Sequence, residues 1–487
     1  MRLMMNLAEL IEELRGCVID GNPTVEISSV AYHSRKATDG TLFVAIKGFK
    51  ADGHDYVSDA VKRGAVAVVV EREVDAAFEV CKVLVPDTRE ALSHISSVYY
   101  GTPSRKLDIT GVTGTNGKTT TCYLLRSIYE AAGMRSGMLT TIEYWIGRKR
   151  QRAQLTTPES LDLQRILGKM VEGRVKALAM EVSSHGLALK RVRDVEFAKG
   201  VFTNLSRDHL DFHVDMENYI SSKRSLFKNL RLGAIAVLNC DDPHWEDMAS
   251  ATQARVVKYG FAGSADFRAT EVKATLDGTQ IKASWERETA EIESSLIGRH
   301  NAYNMLASAA TAAYSGLDKE AIIAGIKNVK RVPGRLEPFR LPNGAKAFVD
   351  YAHTPDALKR VLDSLKEVTE GDIICVFGCG GDRDKGKRPI MGEVSTNLAD
   401  FTIVTSDNPR SENPQAIIDE IISGAKKDNF KIEVDRRKAI EEAVAMAKPR
   451  DSVLIAGKGH ERFQTVGDVR KPFDDRKVLS SLIGKGN

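Results

Sequence analysis

Residues 111–121, GVTGTNGKTTT, constrain this chain more than any other stretch. The apolar run KLDIT leads into them, and CYLLRSIYEAAG, with apolar residues at helical spacing, follows. That order predicts a strand, a glycine loop and a helix. Glycines let backbone N–H groups turn inward around a phosphate, and the helix N-terminus adds the positive end of its dipole. A strict P-loop, GxxxxGK[ST], needs glycine at position 112, where Val112 stands. The surviving core is Gly114, Thr115, Asn116, Gly117, Lys118, Thr119 and Thr120. Lys118 has the reach for outer phosphates, and the Thr119 hydroxyl suits Mg2+. A glycine turn without a ligand is the plain alternative; strand, GKTT and helix together weigh against it. The literal GxxxxGK spacing occurs instead at Gly381–Arg388, GDRDKGKR. That loop is rejected as a nucleotide site. Arg388 replaces the magnesium-binding hydroxyl, and Asp382 and Asp384 would face phosphate with like charge.

The remaining sequence keeps a strand–helix rhythm. TLFVAIKG and AVAVVVERE read as buried strands, with a helix in HDYVSDAVKRG ending at Gly64. GTPSRK (101–106) reads as a linker and KRVPGRLEPF (330–339) as a hinge. Between them, ALAMEVSS, KGVFTNLS and AIAVLNCDD end in polar loops, the signature of a parallel sheet with ligand groups at its carboxyl ends. Residues 254–297 alternate with period 2 and suggest an antiparallel addition. AKAFVDYAH, DIICVFGCGGDR, FTIVTSDNPR and SVLIAGKGHE repeat the strand pattern after the hinge. At about 150 residues per domain, 487 residues suggest three. The expected fold is α/β: a smaller N-terminal α/β domain (1–104), a central P-loop-type parallel-sheet ATPase domain (105–331) and a C-terminal Rossmann-like domain (332–487).

With 70 basic against 66 acidic side chains, net charge is +4. That is too balanced to argue for nucleic acid, yet compatible with anionic small substrates. The six cysteines, at 17, 81, 122, 240, 375 and 379, lack CxxC spacing and read as free thiols of a reducing cytosol. MRLMMNLAELIEELRG reads as an amphipathic helix rather than a signal peptide. No apolar run approaches the roughly 20 residues of a membrane span. The expectation is a soluble, cytoplasmic protein.

A nucleotide site needs a cation. Glu181, in MEVSSHG, and Asp208 with His209, in NLSRDHLDFH, fall at adjacent strand ends and can converge on one. His209 and His213 at i, i+4 equally suggest zinc, although no cysteine or further histidine is expected nearby to complete such a site. Lys223, in NYISSKRSLF, reads on its own as a solvated helix lysine.

Together the glycine loop, EVSSHG, TNLSRDHLDFH, GRHNAYN, PGRLE, DYAHTPDA, GCGGDRDKGKRP, DNPR and AGKGHE closely resemble, in this order, the Mur ligase family of peptidoglycan synthesis. The resemblance spans the chain and implies a three-domain, ATP-dependent amide-forming ligase. Within the family it is most similar to members that add the third stem-peptide residue. It implies Mg2+ ligands at Thr119, Glu181 and His209, and a carbamylated Lys223 (N6-carboxylysine). Lys118, Lys223, His209 and Glu181 are then the catalytic set. It implies ATP contacts at Asn301, Arg335 and Asp350; read alone, Asn301 is a helix cap. It implies uridine-diphosphate contacts at Ser34, Phe49, Lys50 and Ala51, and sugar or peptide contacts at Thr156, Thr157, Ser183 and Arg191. It departs at Leu189, where some relatives are polar. His353 is assigned to orienting Asp350 or phosphates, not to proton abstraction.

SDNPRSENP carries the choice of third substrate. Members that add meso-diaminopimelate have DNPR here, so Asp407, Asn408, Pro409 and Arg410, with Arg383, Gly457 and Glu461, are the implied amino-acid contacts. The guanidinium of Arg410 is a planar fork for a carboxylate; its plain alternative is a turn-capping arginine. Lysine lacks the second carboxylate of diaminopimelate and would leave Arg410 desolvated and unpaired, at a cost of a few kcal/mol, roughly 2–5. The implied reaction joins diaminopimelate to the D-glutamyl γ-carboxylate of UDP-N-acetylmuramoyl-L-Ala-D-Glu through an acyl phosphate. The enzyme is expected to be a monomer. The anion-binding strand ends and the Arg410 pocket should face each other across one cleft. Rival readings are the same ligase with L-lysine, a folylpolyglutamate synthase-like ligase, disfavoured by the long N-terminal region and DNPR, and an ATP-driven switch.

Overall fold

The structure, a computed structural model, describes residues 4–49, 51–74 and 80–484. Lys50, one of the implied uridine-diphosphate contacts, lies outside them. Three α/β sheets follow one another along the chain, and each buries β-branched and aliphatic side chains on both faces, as parallel strands covered by helices must.

The first sheet orders its strands Val18–Asp20, Cys81–Leu84, Ala65–Val70, Thr41–Val44 and Ser29–Ala31. Its last four are parallel. The helix Val57–Lys62 ends before Gly64, whose φ of +104° stops it. At the N-terminus the helix is only Leu7–Ile11, preceded by a short strand, Met5–Asn6, so the longer helix expected from sequence is corrected. Asn6 caps it by accepting from Glu9 N, and the strand pairing fixes where it begins.

The second sheet has eleven strands, with Asp108–Thr113 at its centre between the parallel strands Ala177–Glu181 and Lys199–Phe202. The period-2 stretch forms the antiparallel strands Phe267–Thr275, Gly278–Trp285 and Glu288–Ser294; Arg255–Gly260 before them still pairs in parallel with Ile235–Asn239. The helix Lys118–Ala131 buries Leu124, Leu125 and Ile128 against Val112, Val201 and Met305. Each such side chain contributes about 1.5–3 kcal/mol.

The third sheet orders Glu337–Arg340, Lys346–Asp350, Ser452–Ala456, Ile373–Phe377, Phe401–Val404 and Phe430–Ile432, parallel after the first pair. Strand order reverses around Ser452–Ala456, and the loops after Asp350, Phe377, Val404 and Ala456 gather at that switch point, where such sheets bind ligands. All six cysteines are free thiols. Among the described residues no helix is long and apolar enough to cross a membrane.

Candidate active site

The glycine loop closes on itself because two positions admit no side chain. Gly114 has a φ of +147° and Gly117 of +86°. A Cβ on Gly114 would lie 1.9 Å from Thr203 Oγ1, and one on Gly117 2.4 Å from Asn304 Oδ1. The adjacent strand end pins the loop: Thr203 Oγ1 and Asn204 Nδ2 donate to the Asn116 carbonyl at 2.6 and 3.1 Å. Lys118 turns back over it, Nζ donating to the carbonyls of Gly114 (2.6 Å) and Thr115 (2.8 Å). Burial lowers its pKa, opposed by Glu181 and Asp208.

Glu181 ends its strand under this loop. Its Oε1 accepts from Thr119 Oγ1 at 2.8 Å and from Thr141 N at 3.0 Å. Arg335, from the segment read as a hinge, donates through Nη2 to Thr119 Oγ1 at 3.1 Å and stacks 4.7 Å over Tyr351. Asp350 accepts from Leu336 N (2.6 Å) and Ala352 N (2.7 Å). Burial raises its pKa against the pull of Arg335. Asn301 is not a cap: Gly298 occupies that position, and Asn301 lies buried inside the helix Arg299–Ala313, donating to Ile297 O at 2.8 Å. His353 bonds the Tyr351 carbonyl through Nδ1 at 2.8 Å, with no bond to Asp350.

Lys223 corrects its reading as a surface lysine. It is 1% exposed, on a helix, Met216–Lys228, whose buried stripe is Tyr219, Lys223, Leu226 and Phe227. Nζ lies 4.3 Å from the centre of the Tyr219 ring. Burial first, then the charge of Lys118, pushes its pKa well below the usual lysine range, with Asp208 opposing. The i, i+4, i+7 spacing marks this face in the sequence; only the identity of the residue hid it. His209 takes a φ of +55° beside Asp208, and burial brings its pKa to about 4. The expectation that no further histidine sits near this pair is corrected: His185, far away in sequence, packs beside it, its ring 4.9 Å from His209 and 5.6 Å from His213. Among the described residues no three His, Cys, Asp or Glu side chains are arranged to hold a metal.

A cavity of about 490 Å³ brings together residues 114–120, Glu181, His209, Lys223, Asn301, Arg335 and Asp350, with Thr156 and Ser183 on its wall. Thr157 lies behind it, bonding Ser183 Oγ at 3.0 Å. Arg191 donates to Thr157 O (3.1 Å) and Glu159 Oε2 (3.2 Å). Glu159 also takes Arg89, which reaches the Lys47 carbonyl at 2.9 Å. Phe49, 72% exposed, meets Phe212 edge-on at 5.8 Å, and Phe212 stacks on His185 at 4.1 Å. Ala51 accepts from Gly48 N in the same loop, whereas Ser34, bonded to Asp59, is not on the cavity wall.

The amino-acid set forms a neighbouring cluster. Asn408 Nδ2 donates to Glu461 Oε2 at 2.9 Å. Gly457, at φ +112°, leaves no room for a Cβ beside Asp407 and donates to Asp350 O at 3.1 Å. Pro409 precedes Arg410, whose Nη1 donates to the Gly381 carbonyl. Arg383 is exposed on the rejected loop, close enough for its charge to act on His185. None of these lines the 490 Å³ cavity. The single cleft expected from sequence is therefore two adjacent sites, because the Arg410 guanidinium is held at the Gly381 carbonyl of the rejected loop, outside the cavity. They are joined where Lys387 Nζ donates to the His353 carbonyl at 2.8 Å and where Tyr351 meets His460 at 5.0 Å.

The Mur ligase middle domain matches residues 112–312, the Mur ligase glutamate ligase domain 334–459, and the Mur ligase family catalytic domain 26–100. A UDP-N-acetylmuramoyl-L-alanyl-D-glutamate--2,6-diaminopimelate ligase of Syntrophomonas wolfei is 43% identical over 98% of this chain and 99% of its own. The chain belongs to the Mur ligase family. A solved structure with the same enzyme description superimposes with a TM-score of 0.71, at 31% identity over 99% of both chains. A Mycobacterium tuberculosis folylpolyglutamate synthase shares the fold, with a TM-score of 0.63 at 20% identity, over 76% of this chain.

Two residues of this Mur ligase escaped the sequence reading. Lys458, fully buried, donates to Asn408 Oδ1 (3.1 Å), Glu461 Oε2 (2.9 Å) and Phe463 O (2.8 Å). Asp356 Oδ2 accepts from Asn116 Nδ2 (3.2 Å) and Ser206 Oγ (2.8 Å), tying the third sheet's first helix to the glycine loop. Lys458 had a signal, its place between two glycines in AGKGHE; Asp356 had none.

Proposed function

We propose that this Mur ligase is a cytoplasmic enzyme that uses ATP to add meso-2,6-diaminopimelate to the D-glutamyl γ-carboxylate of UDP-N-acetylmuramoyl-L-Ala-D-Glu, in peptidoglycan precursor synthesis. Residues 1–104 hold the uridine-diphosphate end, 105–331 the ATP and 332–487 the amino acid. The observation that carries the reading is one chain holding both a glycine loop with a Thr119–Glu181 pair and, on the adjoining sheet, an arginine fork at Arg410.

The glycine-loop amides and Lys118 bind the phosphates of ATP; Asn301, Arg335 and Asp350 hold the rest of the nucleotide. The γ-phosphoryl group passes to the substrate carboxylate, which gains a good leaving group and loses the charge that repels nucleophiles. One amino group of diaminopimelate, in its neutral form, attacks the acyl carbon; the tetrahedral intermediate expels phosphate and the nitrogen loses a proton to water, leaving the amide, with ADP the second product. Arg410 and Arg383 receive the carboxylates of the amino acid, and Glu461 with Asp407 the ammonium group that does not react. Holding three substrates in register contributes about 7–11 kcal/mol to the barrier reduction.

The donor set suits Mg2+. Thr119 and Glu181 offer hard oxygens 2.8 Å apart, and magnesium commonly takes one or two protein ligands and completes its shell with phosphates and water. His209 and Lys223 complete the set. A lysine with a lowered pKa is partly neutral, the form that adds CO2 to become a carbamate. When bound, the metal offsets charge between the two anions that react.

Product analysis tests the proposal. Incubating the protein with ATP, Mg2+, the UDP-dipeptide and diaminopimelate, lysine or ornithine should yield UDP-tripeptide with diaminopimelate in large excess. Equal yields with lysine would overturn the assignment of the amino acid, and no tripeptide with any of them would overturn the ligase.

A further inference from the structure

In the reading just given, Arg410 meets a carboxylate of the incoming amino acid, so selectivity depends on where its guanidinium points beforehand. Arg410 has a φ of +51° and Asp382, on the facing loop, +54°. Side chains seldom adopt this left-handed region, so neither loop holds its shape by local preference. Something must restrain both.

Glu412, two residues past Arg410, does so. Its Oε1 accepts from the Asp382 amide at 2.6 Å and from Arg388 Nη2 at 2.8 Å, and its Oε2 from Arg388 Nη1 at 2.9 Å. Arg388 is fully buried, and also donates to Glu420 (2.8 Å) and to the Gly380 carbonyl (3.2 Å). The facing loop then returns these restraints to the substrate side. The Gly381 carbonyl holds Arg410 Nη1, Gly381 N donates to Asn408 O at 2.9 Å, and Asp382 accepts from Ser411 Oγ at 2.5 Å. This also explains the arginine that spoiled the P-loop pattern at position 388: it ties two loops together.

We propose that Glu412, acting through Arg388, is a specificity-determining positioning residue that fixes the Arg410 guanidinium for a substrate carboxylate, and so sets the preference for an amino acid with a second carboxylate over one with only a side-chain ammonium. This rests on the diaminopimelate-ligase reading. Removing one side of a bidentate pair at a loop junction leaves the buried Arg388 guanidinium uncompensated, which is costly. Loss of the pair displaces Arg410 without touching the nucleotide.

Steady-state kinetics of the full chain with ATP, UDP-dipeptide and either diaminopimelate or lysine provide the test, comparing wild type with the near-isosteric Glu412→Gln. The KM for diaminopimelate should rise about tenfold or more, since misplacement by an ångström is costly. The ratio of kcat/KM for diaminopimelate over lysine should fall by a similar factor, while the KM for ATP changes by less than about twofold. A pair that only supports the fold would lower the melting temperature and leave the ratio unchanged, which overturns the proposal. If wild type fails to use diaminopimelate, the functional reading itself falls; if wild type uses it and the variant keeps its selectivity, only the positioning role falls. Should Glu412→Gln not fold, Ser411→Ala, which removes only the bond to Asp382, carries the test. A ratio lowered about threefold supports the proposal, and an unchanged ratio overturns it.

Discussion

Lys223 draws its chemistry from burial. An amine packed against Tyr219 with Lys118 nearby sheds its proton more readily than a solvated lysine, and only the neutral amine adds CO2. Stripping CO2 from enzyme and buffers should therefore lower ligation, and bicarbonate should restore it; activity indifferent to both would remove carbamylation from the account. Arg410 carries the second residue-scale prediction. Arg410→Ala should cut kcat/KM for diaminopimelate by roughly 30–100-fold, the equivalent of about 2–3 kcal/mol, with ATP affinity held within about twofold. Equal losses for both ligands would contradict its assignment. At this scale the sequence showed residue types better than environments. Gly114, Lys118 and Thr119 declare themselves through spacing, whereas the burial of Lys223, the approach of His185 and the bond from Asn116 to Asp356 arise from packing between residues far apart in the chain.

Among the elements, the helix after the glycine loop is held by a close contact with the helix Lys319–Asn328. A Cβ on Gly325 would lie 2.4 Å from Ile128 Cα, and Ser127 Oγ donates to the Gly325 carbonyl at 2.6 Å. Gly325→Ala should destabilise the second sheet's region by about 1–3 kcal/mol or more, the cost of overpacking, read as a lower melting transition; an unchanged transition would show that the two helices part freely. The Arg388–Glu412 pair makes a pH prediction. Arg388 holds the Glu412 carboxyl at about 2, below its unfolded value near 4.3. A depressed carboxylate stabilises fully above its unfolded pKa and loses that contribution as pH falls toward its folded one. The melting temperature of wild type should thus fall more steeply than that of Glu412→Gln between pH 5 and pH 3, and parallel curves would contradict it. Period 2 made the strands between Phe267 and Ser294 legible, and the strand–helix rhythm gave the parallel sheets. Length of the N-terminal helix was not legible, because strand pairing at Met5–Asn6 set its start.

For the whole molecule, the order of motifs along the chain foretold three successive α/β sheets, but not how far the last two would close. Asp356 and Arg335 bond across between them, yet Arg410 is held by the facing loop at Gly381 rather than lining the nucleotide cavity. Contacts of this kind depend on domain position, which no local pattern encodes. Lids and domains that close on substrate are a common way to assemble such a site. The central claim is that the glycine loop and the Arg410 pocket serve one reaction. Phosphate release from ATP, measured with each co-substrate omitted in turn, tests it most directly. The account predicts rapid release only when the UDP-dipeptide and diaminopimelate are both present; release at the full rate with ATP alone would contradict it.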